Sequence, residues 1–222
     1  MAKYTHLSDD LYAYVASHRS EQDPLLAELA RETEELGAIS RMQIAPDQGA
    51  LLTLLTRISG ARHAIEIGTF TGYSGLSIAR GLPPDGTLLC CDASEEWTEI
   101  ARRYFGRAGV ADRVEIRIAP ALETLAGLER AEQFDLAFID ADKTNYSAYY
   151  AALLPRVRAN GLLLFDNVLW GGQVVEETDT RDATEAIRVL NDQLRDDPRV
   201  ESVMLSISDG LTIARKRAAE EL

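Results

Sequence analysis

Apolar residues recur three and four positions apart in three stretches near the start of the chain, LSDDLYAYVASH (7–18), DPLLAELARETEELG (23–37) and DQGALLTLLTRISG (47–60). That spacing predicts three amphipathic helices, each with an Asp or Ser near its start that can serve as a cap. Between the second and third, SRMQIAPDQG carries Pro46 and Gly49, which interrupt the helical pattern and predict a loop or short turn. From residue 63 the rhythm changes. Short apolar runs, HAIEIG, GTLLCCDAS, RVEIRIAP, FDLAFIDAD and GLLLFDN, alternate with amphipathic stretches such as WTEIARRYFGRAG and NYSAYYAALLPRVRANG. Such alternation predicts strands and crossover helices of a doubly wound parallel sheet, and near-continuous runs such as LAFI and LLLF suit strands buried on both faces. The segment RVESVMLSISDGLTIARKR instead holds two extended runs broken at Asp209-Gly210, a hairpin signal. The predicted fold class is therefore α/β: a Rossmann-like, doubly wound, mostly parallel sheet of about seven strands with an antiparallel last strand, flanked by helices and preceded by extra N-terminal ones. Without repeats, linkers or low-complexity segments, the expectation is one domain over residues 1–222, with 1–60 as a helical segment packed on it.

Composition narrows the partners. With 36 acidic against 23 basic residues the formal charge is −13, which repels nucleic acid and anionic lipid in the absence of a basic patch. The first residues, MAKYTHLSDDLYAYV, lack the pattern of a signal peptide and no apolar stretch approaches a membrane span, so a cytoplasmic protein is expected. The two cysteines, Cys90 and Cys91, are adjacent in an apolar run; on a strand they point to opposite faces and read as small buried hydrophobes.

The segment AIEIGTFTGYSG leaves a strand and opens a helix. Gly68, Gly72 and Gly75 allow a tight turn and close ligand approach, and the amides at the helix start offer a place for a carboxylate or phosphate. A nucleotide-like cofactor is implied. The spacing, E-x-G-x-x-x-G from Glu66, differs from the G-x-G-x-x-G of nicotinamide enzymes and points toward a methyltransferase. Asp92 ends the second strand, where an acid can take both ribose hydroxyls or simply cap the next helix. Glu66 is either an exposed acid at the sheet end or a contact for the cofactor's polar groups. Ser74 either caps the helix or donates to the cofactor's carboxylate.

Two further strands run straight into acids: Asp140 ends FDLAFID, and Asp166 with Asn167 ends GLLLFDN. If these strands are neighbours, two carboxylates and an amide oxygen converge as a hard, oxygen-only set suited to magnesium, manganese or calcium. Separately, each acid pair is also what an ordinary turn carries. Lys143, three residues after Asp140, is either a solvated surface lysine or, near an ion and partly buried, a general base.

In these residues the chain resembles the cation-dependent class I O-methyltransferases, which include caffeoyl-coenzyme A and catechol O-methyltransferases and bacterial relatives acting on small catechols. The resemblance runs from about Ser40 to Arg217 through MQIAPDQG, EIGTFTGYSG, CDASEEW, AGVADR, FIDADKTNY, DNVLWGG and SDGLTIARK, and the bacterial members look most similar. It implies that Met42, Ile44, Glu66, the loop residues Gly68, Thr69, Phe70, Gly72, Tyr73 and Ser74, then Asp92, Ala93, Ala121 and Asp140 bind S-adenosylmethionine. Asp92 would take the ribose, Ala121 would sit by the adenine amine, and Met42 and Ile44 would line the methionine end and the substrate entrance. Asp140, Asp166 and Asn167 would hold the metal, magnesium or else manganese or calcium. Lys143 and Asp140 would be catalytic, while Met42, Lys143, Asn167 and Trp170 would meet a small phenolic substrate, Trp170 as a wall. A homodimer is implied by the same analogy. Two departures stand out. Animal catechol enzymes carry an aromatic residue before the lysine where this chain has Asp142, and their late glutamate that grips a substrate hydroxyl has no assigned counterpart here. The expected reaction is metal-assisted methyl transfer to a vicinal diphenol. The rivals are a coenzyme A thioester as substrate, a nicotinamide oxidoreductase, and a non-catalytic ligand-binding module.

Overall fold

The computed structural model describes residues 5–20 and 23–221. Its centre is a seven-stranded sheet of order β3-β2-β1-β4-β5-β7-β6, with β1 His63–Ile67, β2 Thr87–Asp92, β3 Val114–Ile118, β4 Phe134–Ile139, β5 Val157–Asp166, β6 Val200–Leu205 and β7 Leu211–Lys216. All pairings are parallel except those of β7, which runs antiparallel to both β5 and β6. The last strand is therefore the one that departs, as its sequence predicts. From β1 the chain winds outward to β2 and β3, then returns to β4 on the other side of β1. The carboxyl ends of β1 and β4 thus flank the switch point, where open α/β sheets bind their ligands.

Helices cover both faces: α1 Asp9–Ser17, α2 Pro24–Glu34, α3 Pro46–Ile58, α4 Tyr73–Gly81, α5 Glu95–Arg107, α6 Ala121–Ala126, α7 Tyr146–Leu153 and α8 Asp182–Asp196. The apolar runs of β1, β4 and β5 are buried on both sides and feed two separate cores. Cys90 belongs to one core and Cys91 to the other, as alternation along β2 requires. Burial raises both thiols, Cys91 to about 12. No helix among the described residues is long and apolar enough to cross a membrane.

The N-terminal helices dock to different depths. Helix α1, capped by Ser8, buries none of its side chains. Helix α2, capped by Asp23, buries Leu26, Leu29 and Thr33 and is clamped to α5 by charge. Arg107 makes two bonds to Glu28, at 2.9 and 2.7 Å; Arg103 pairs with Glu32, and the Tyr104 hydroxyl donates to Glu32 at 2.8 Å.

Four local expectations are corrected. Pro46 does not break the third helix but opens it at its first turn, where a missing N–H costs nothing. Gly49 is not a loop residue either. It lies in that turn against α4, where a Cβ would stand 2.7 Å from Tyr73 Cε1 and 2.9 Å from Ser77 Oγ. The stretch 145–161 is not one helix: α7 ends at Leu153 and β5 begins at Val157, because Pro155 lacks the amide a further turn would need. The last hairpin turns through residues 206–210, with Ser208 and Gly210 at φ 49° and 88°, rather than through a two-residue Asp-Gly turn.

Helices α3 and α4 pack through small residues along their whole length, with Thr53 Oγ1 donating to the Ser77 carbonyl at 2.8 Å and Gly81 set against Thr56. Alanine at 49 has the better helix propensity by about 1 kcal/mol, but overpacking a buried contact costs about 1–3 kcal/mol. Gly49→Ala is expected to lower the urea midpoint; an unchanged or raised midpoint would show that the interface can open without cost.

Candidate active site

A cleft of about 930 Å³ opens at the carboxyl edge of the sheet, over the ends of β1, β2, β4 and β5, a volume ample for a nucleoside cofactor beside a small molecule. Its floor begins where β1 ends. Gly68 has φ 90°, and a Cβ there would lie 1.9 Å from the Asp140 carbonyl oxygen, so only glycine fits. The Asp140 N–H donates to the Ile67 carbonyl at 2.8 Å and the Gly68 N–H to the Cys91 carbonyl at 2.9 Å, which ties the ends of three strands together. Asp92 holds the loop from the other side. One carboxylate oxygen accepts the Thr69 and Phe70 amides at 2.9 and 2.8 Å, and the other accepts the Ser94 amide at 2.8 Å. Helix α5 is capped by Ser94, so Asp92 shapes the cleft rather than serving as that cap.

Helix α4 starts at the cleft with no side-chain cap on its N-terminus, leaving its first amides for a ligand. Ser74, buried in this first turn, lines the cleft with Thr69, Phe70 and Tyr73. Gly72 does not line it; a Cβ there would meet Ala101 of α5 at 2.7 Å, so this glycine lets α4 and α5 close together. Glu66 is not at the exposed sheet end but 0% exposed beneath the loop. Burial pushes its carboxyl up to about 7; Ser74, Thr69 and Cys90 lie close enough to counter part of that rise, yet neither oxygen has a hydrogen-bond partner of ordinary geometry.

The acids that end β4 and β5 come together as their sequence positions predict, because the two strands are neighbours. Asp140, Asp166 and Asn167 all line the cleft. Asp166 is 2% exposed, and burial, then the charge of Asp140, raises its carboxyl above the usual range. Asn167 takes the left-handed φ of 57° that asparagine tolerates. Among the described residues no trio of His, Cys, Asp or Glu is placed to hold a metal ion, so a cation here would depend on the asparagine amide to complete the set.

Lys143 is not a solvated surface lysine. Its side chain is 9% exposed, and its Nζ donates to Asp140 Oδ1 at 2.8 Å and to the Tyr146 hydroxyl at 2.6 Å. Tyr146 in turn donates to the Asp166 backbone carbonyl at 2.9 Å, so it fixes the amine relative to both acid-bearing strands. The Trp170 ring lies over the amine, its centroid 6.0 Å from Nζ. Met42, 51% exposed, and the buried Ile44 line the cleft, as do Ala93 and Ala121.

Several lining or supporting residues escape sequence reasoning. Tyr146 reads as part of an apolar helix face and Asp209 as a turn residue; Asn145 and Ser208 fall inside motifs of the resemblance without a role of their own, and Arg41 has no signal. Gln48 looks like a surface polar position of α3, but it is fully buried close enough to Asp166 to favour its charged form, while neither amide atom has a partner of ordinary geometry.

Comparison with known proteins gives this cleft a context. A family model described as O-methyltransferase matches residues 16–217. Tricin synthase 2 of Oryza sativa subsp. japonica is 41% identical over 185 residues, 79% of this chain but 63% of that protein, so the chain spans less than two thirds of that relative. Caffeoyl-CoA O-methyltransferase 2 of Zea mays is 38% identical over 222 residues, covering 94% of this chain and 83% of the relative. The crystal structure of the O-methyltransferase TomG from Streptomyces achromogenes, involved in tomaymycin synthesis and in complex with SAM, has a TM-score of 0.85 at 31% identity, covering 94% of this chain and 96% of that one.

The buried Glu66 carboxyl gives a pH signature to the ligand-free protein. Its folded-state value, about 7 against an ordinary 4.5, means that the folded state binds this proton more tightly than the unfolded one. The contribution is full below about pH 4.5 and lost as pH rises through about 7, a change on the order of 3 kcal/mol. Chemical denaturation of wild type and Glu66→Gln at about pH 5 and pH 8 should show the wild type losing stability relative to the variant at the higher pH. A constant difference would mean that Glu66 keeps an ordinary carboxylate value.

Proposed function

The chain belongs to the O-methyltransferase family, and from that premise we propose that it moves the methyl group of S-adenosylmethionine to one hydroxyl of a catechol-like small molecule, with a divalent cation held by Asp140, Asp166 and Asn167. The observation that carries this reading is the meeting of Lys143, Asp140, Asp166 and Asn167 with the glycine loop and Asp92 in one cleft.

In this reading the methyl donor lies along the glycine loop. The uncapped start of α4 and Ser74 would hold its carboxylate, and Asp92, whose carboxylate has lone pairs beyond those used by the three backbone amides, would hold its ribose. Ala93 and Ala121 would take the base, and Met42 and Ile44 would line the methionine end. The acid pair suits a hard cation, since two carboxylates and an amide offer only oxygen, and the buried Asp166 beside Asp140 is favoured in its charged form by nearby Gln48 and by the Asn167 amide that donates to it, with Lys143 as the positive charge that acts on it. Magnesium, or manganese or calcium, would supply Lewis acidity that lowers a bound phenol's pKa, while S-adenosylmethionine supplies the reactive methyl. With a cation bound, the charge of Asp140 and Asp166 would be offset without Lys143, which could then release its own proton to solvent and receive the phenolic one at Nζ, steadied by Tyr146, while Trp170 walls the aromatic ring against it.

The caffeoyl-CoA relative favours a second substrate, a coenzyme A thioester. Against it stands the charge of the region. Asp142 and Asp209 line the cleft, with Arg41 as its one arginine among the described residues, and the segment after Trp170 carries Glu176, Glu177, Asp179 and Asp182, on balance a poor surface for phosphates. The homodimer implied by the resemblance stays part of the proposal, and light scattering checks it.

Chelation should abolish methyl transfer to a panel of vicinal diphenols, and magnesium should restore it. Lys143→Met should lower kcat by about 10²–10⁴. Magnesium should also raise the Tm of the wild type but not of Asp166→Ala. Undiminished transfer in chelator would overturn the metal assignment, and preferential use of the thioester in direct competition would replace the catechol with the larger substrate.

A further inference from the structure

The wall that Trp170 provides in the reading above depends on an unusual piece of backbone, and the inference drawn from it rests on that reading. Trp170, Gly171 and Gly172 take successive φ values of 51°, 60° and 82°. Two glycines adopt this region freely, but a tryptophan does not, and a residue held there is held by its surroundings.

Those surroundings centre on Asp209, in the loop between β6 and β7. Its Oδ1 accepts the Gly171 N–H at 2.6 Å and its backbone carbonyl accepts the Leu169 N–H at 3.0 Å. One aspartate therefore grips the chain on both sides of Trp170. The next residue, Gly210, accepts the Val168 N–H at 3.3 Å and comes so close that a Cβ on it would stand 2.9 Å from the Leu169 amide nitrogen. Downstream, Arg188 of α8 donates to the carbonyls of Gln173, Val174, Glu176 and Asp179. That anchor fixes the following segment separately, so the side-chain bond of Asp209 acts on the short stretch that carries the indole. Asp209, Trp170 and Lys143 all line the cleft, and the Trp170 ring lies over the Lys143 amine.

We propose that Asp209 is a positioning residue for the acceptor. By holding the Gly171 amide it keeps Trp170 in the left-handed conformation that turns the indole over Lys143, and so sets the width of the slot that admits a planar phenol. The role needs an oxygen acceptor at this point and not a charge. Asp209→Ala should release Trp170, whereas Asp209→Asn should keep the bond and the conformation.

Two measurements on the full chain test this. In a Trp97→Phe background Trp170 is the sole tryptophan, and Asp209→Ala should shift its emission to the red and make it more accessible to acrylamide, with Asp209→Asn restoring both. With Trp97 intact, Asp209→Ala should raise the KM for catechol by about fivefold or more, with kcat at saturation and the Kd for S-adenosylhomocysteine within about twofold of wild type, and Asp209→Asn should again restore it. A melting scan of each variant identifies general unfolding, which would instead weaken S-adenosylhomocysteine binding in parallel. Unchanged emission in Asp209→Ala overturns the proposal, as does an unchanged KM. Failure of Asp209→Asn to rescue also overturns it and assigns the carboxylate a direct contact with substrate. If the wild type methylates no phenol, the functional reading fails, while the emission still decides whether Asp209 holds Trp170.

Discussion

At the carboxyl ends of β1 and β4 the backbones of residue 68 and residue 140 come so close that a Cβ on the former would stand 1.9 Å from a carbonyl oxygen of the latter. The glycine loop and the first acid of the cluster are therefore parts of one contact. The loop can turn only because residue 68 has no side chain, and Asp140 is presented at that height because the Ile67 carbonyl takes its amide. Hydrogen bonding between the neighbouring strands then brings Asp166 level with it. Sheet register delivers groups from four strand ends into one space more firmly than a flexible loop could.

The same convergence concentrates charge. Asp140 and Asp166 share a corner of the cleft with one lysine, and on the neighbouring strand β1 Glu66 sits under the loop with no partner of ordinary geometry. An interior chosen for stability would hold none of these. Their surroundings differ in kind, however. Glu66 is packed among Ser74, Thr69 and Cys90 and does not line the cleft. The two aspartates do line it, where an incoming cation could reach them. Tyr146 keeps the lysine from turning away to solvent, because its hydroxyl is fixed to the β5 backbone and its ring lies under the amine at 4.7 Å. Here local stability is given up for an arrangement of polar groups ready before any ligand arrives.

Much of the fold is legible in the chain because its signals are local or periodic. The apolar runs of β4 and β5 can be buried only on both faces, and Asp140, Asp166 and Asn167 each follow such a run directly, so adjacent strands suffice to bring them together. Asp92 and the glycine loop are readable for the same reason. The signals that mislead depend on what a residue meets in space. Pro46 breaks a helix only from the inside, and it stands at the first turn. Gly49 suggests a turn until Tyr73 and Ser77 are seen to leave no room for a Cβ. Gln48 acts on Asp166 far along the chain, Asp209 on an amide 38 residues away, and Tyr146 and Arg188 largely through backbone carbonyls, and no spacing within the sequence announces such contacts. Gly72 lies inside the right motif, yet its place is against α5.

The two thiols of β2 gain a meaning from the chemistry proposed nearby. Vicinal diphenols oxidise in air to quinones, and quinones alkylate thiolates. Cys90 and Cys91 are both fully buried, one in each core, and burial keeps their sulfurs protonated, Cys91 at about 12. At neutral pH that leaves the thiolate at roughly one part in 10⁵. If the acceptor is the diphenol proposed above, the chain offers its oxidised by-product almost no soft nucleophile, even though Cys91 stands in the wall of the cleft itself.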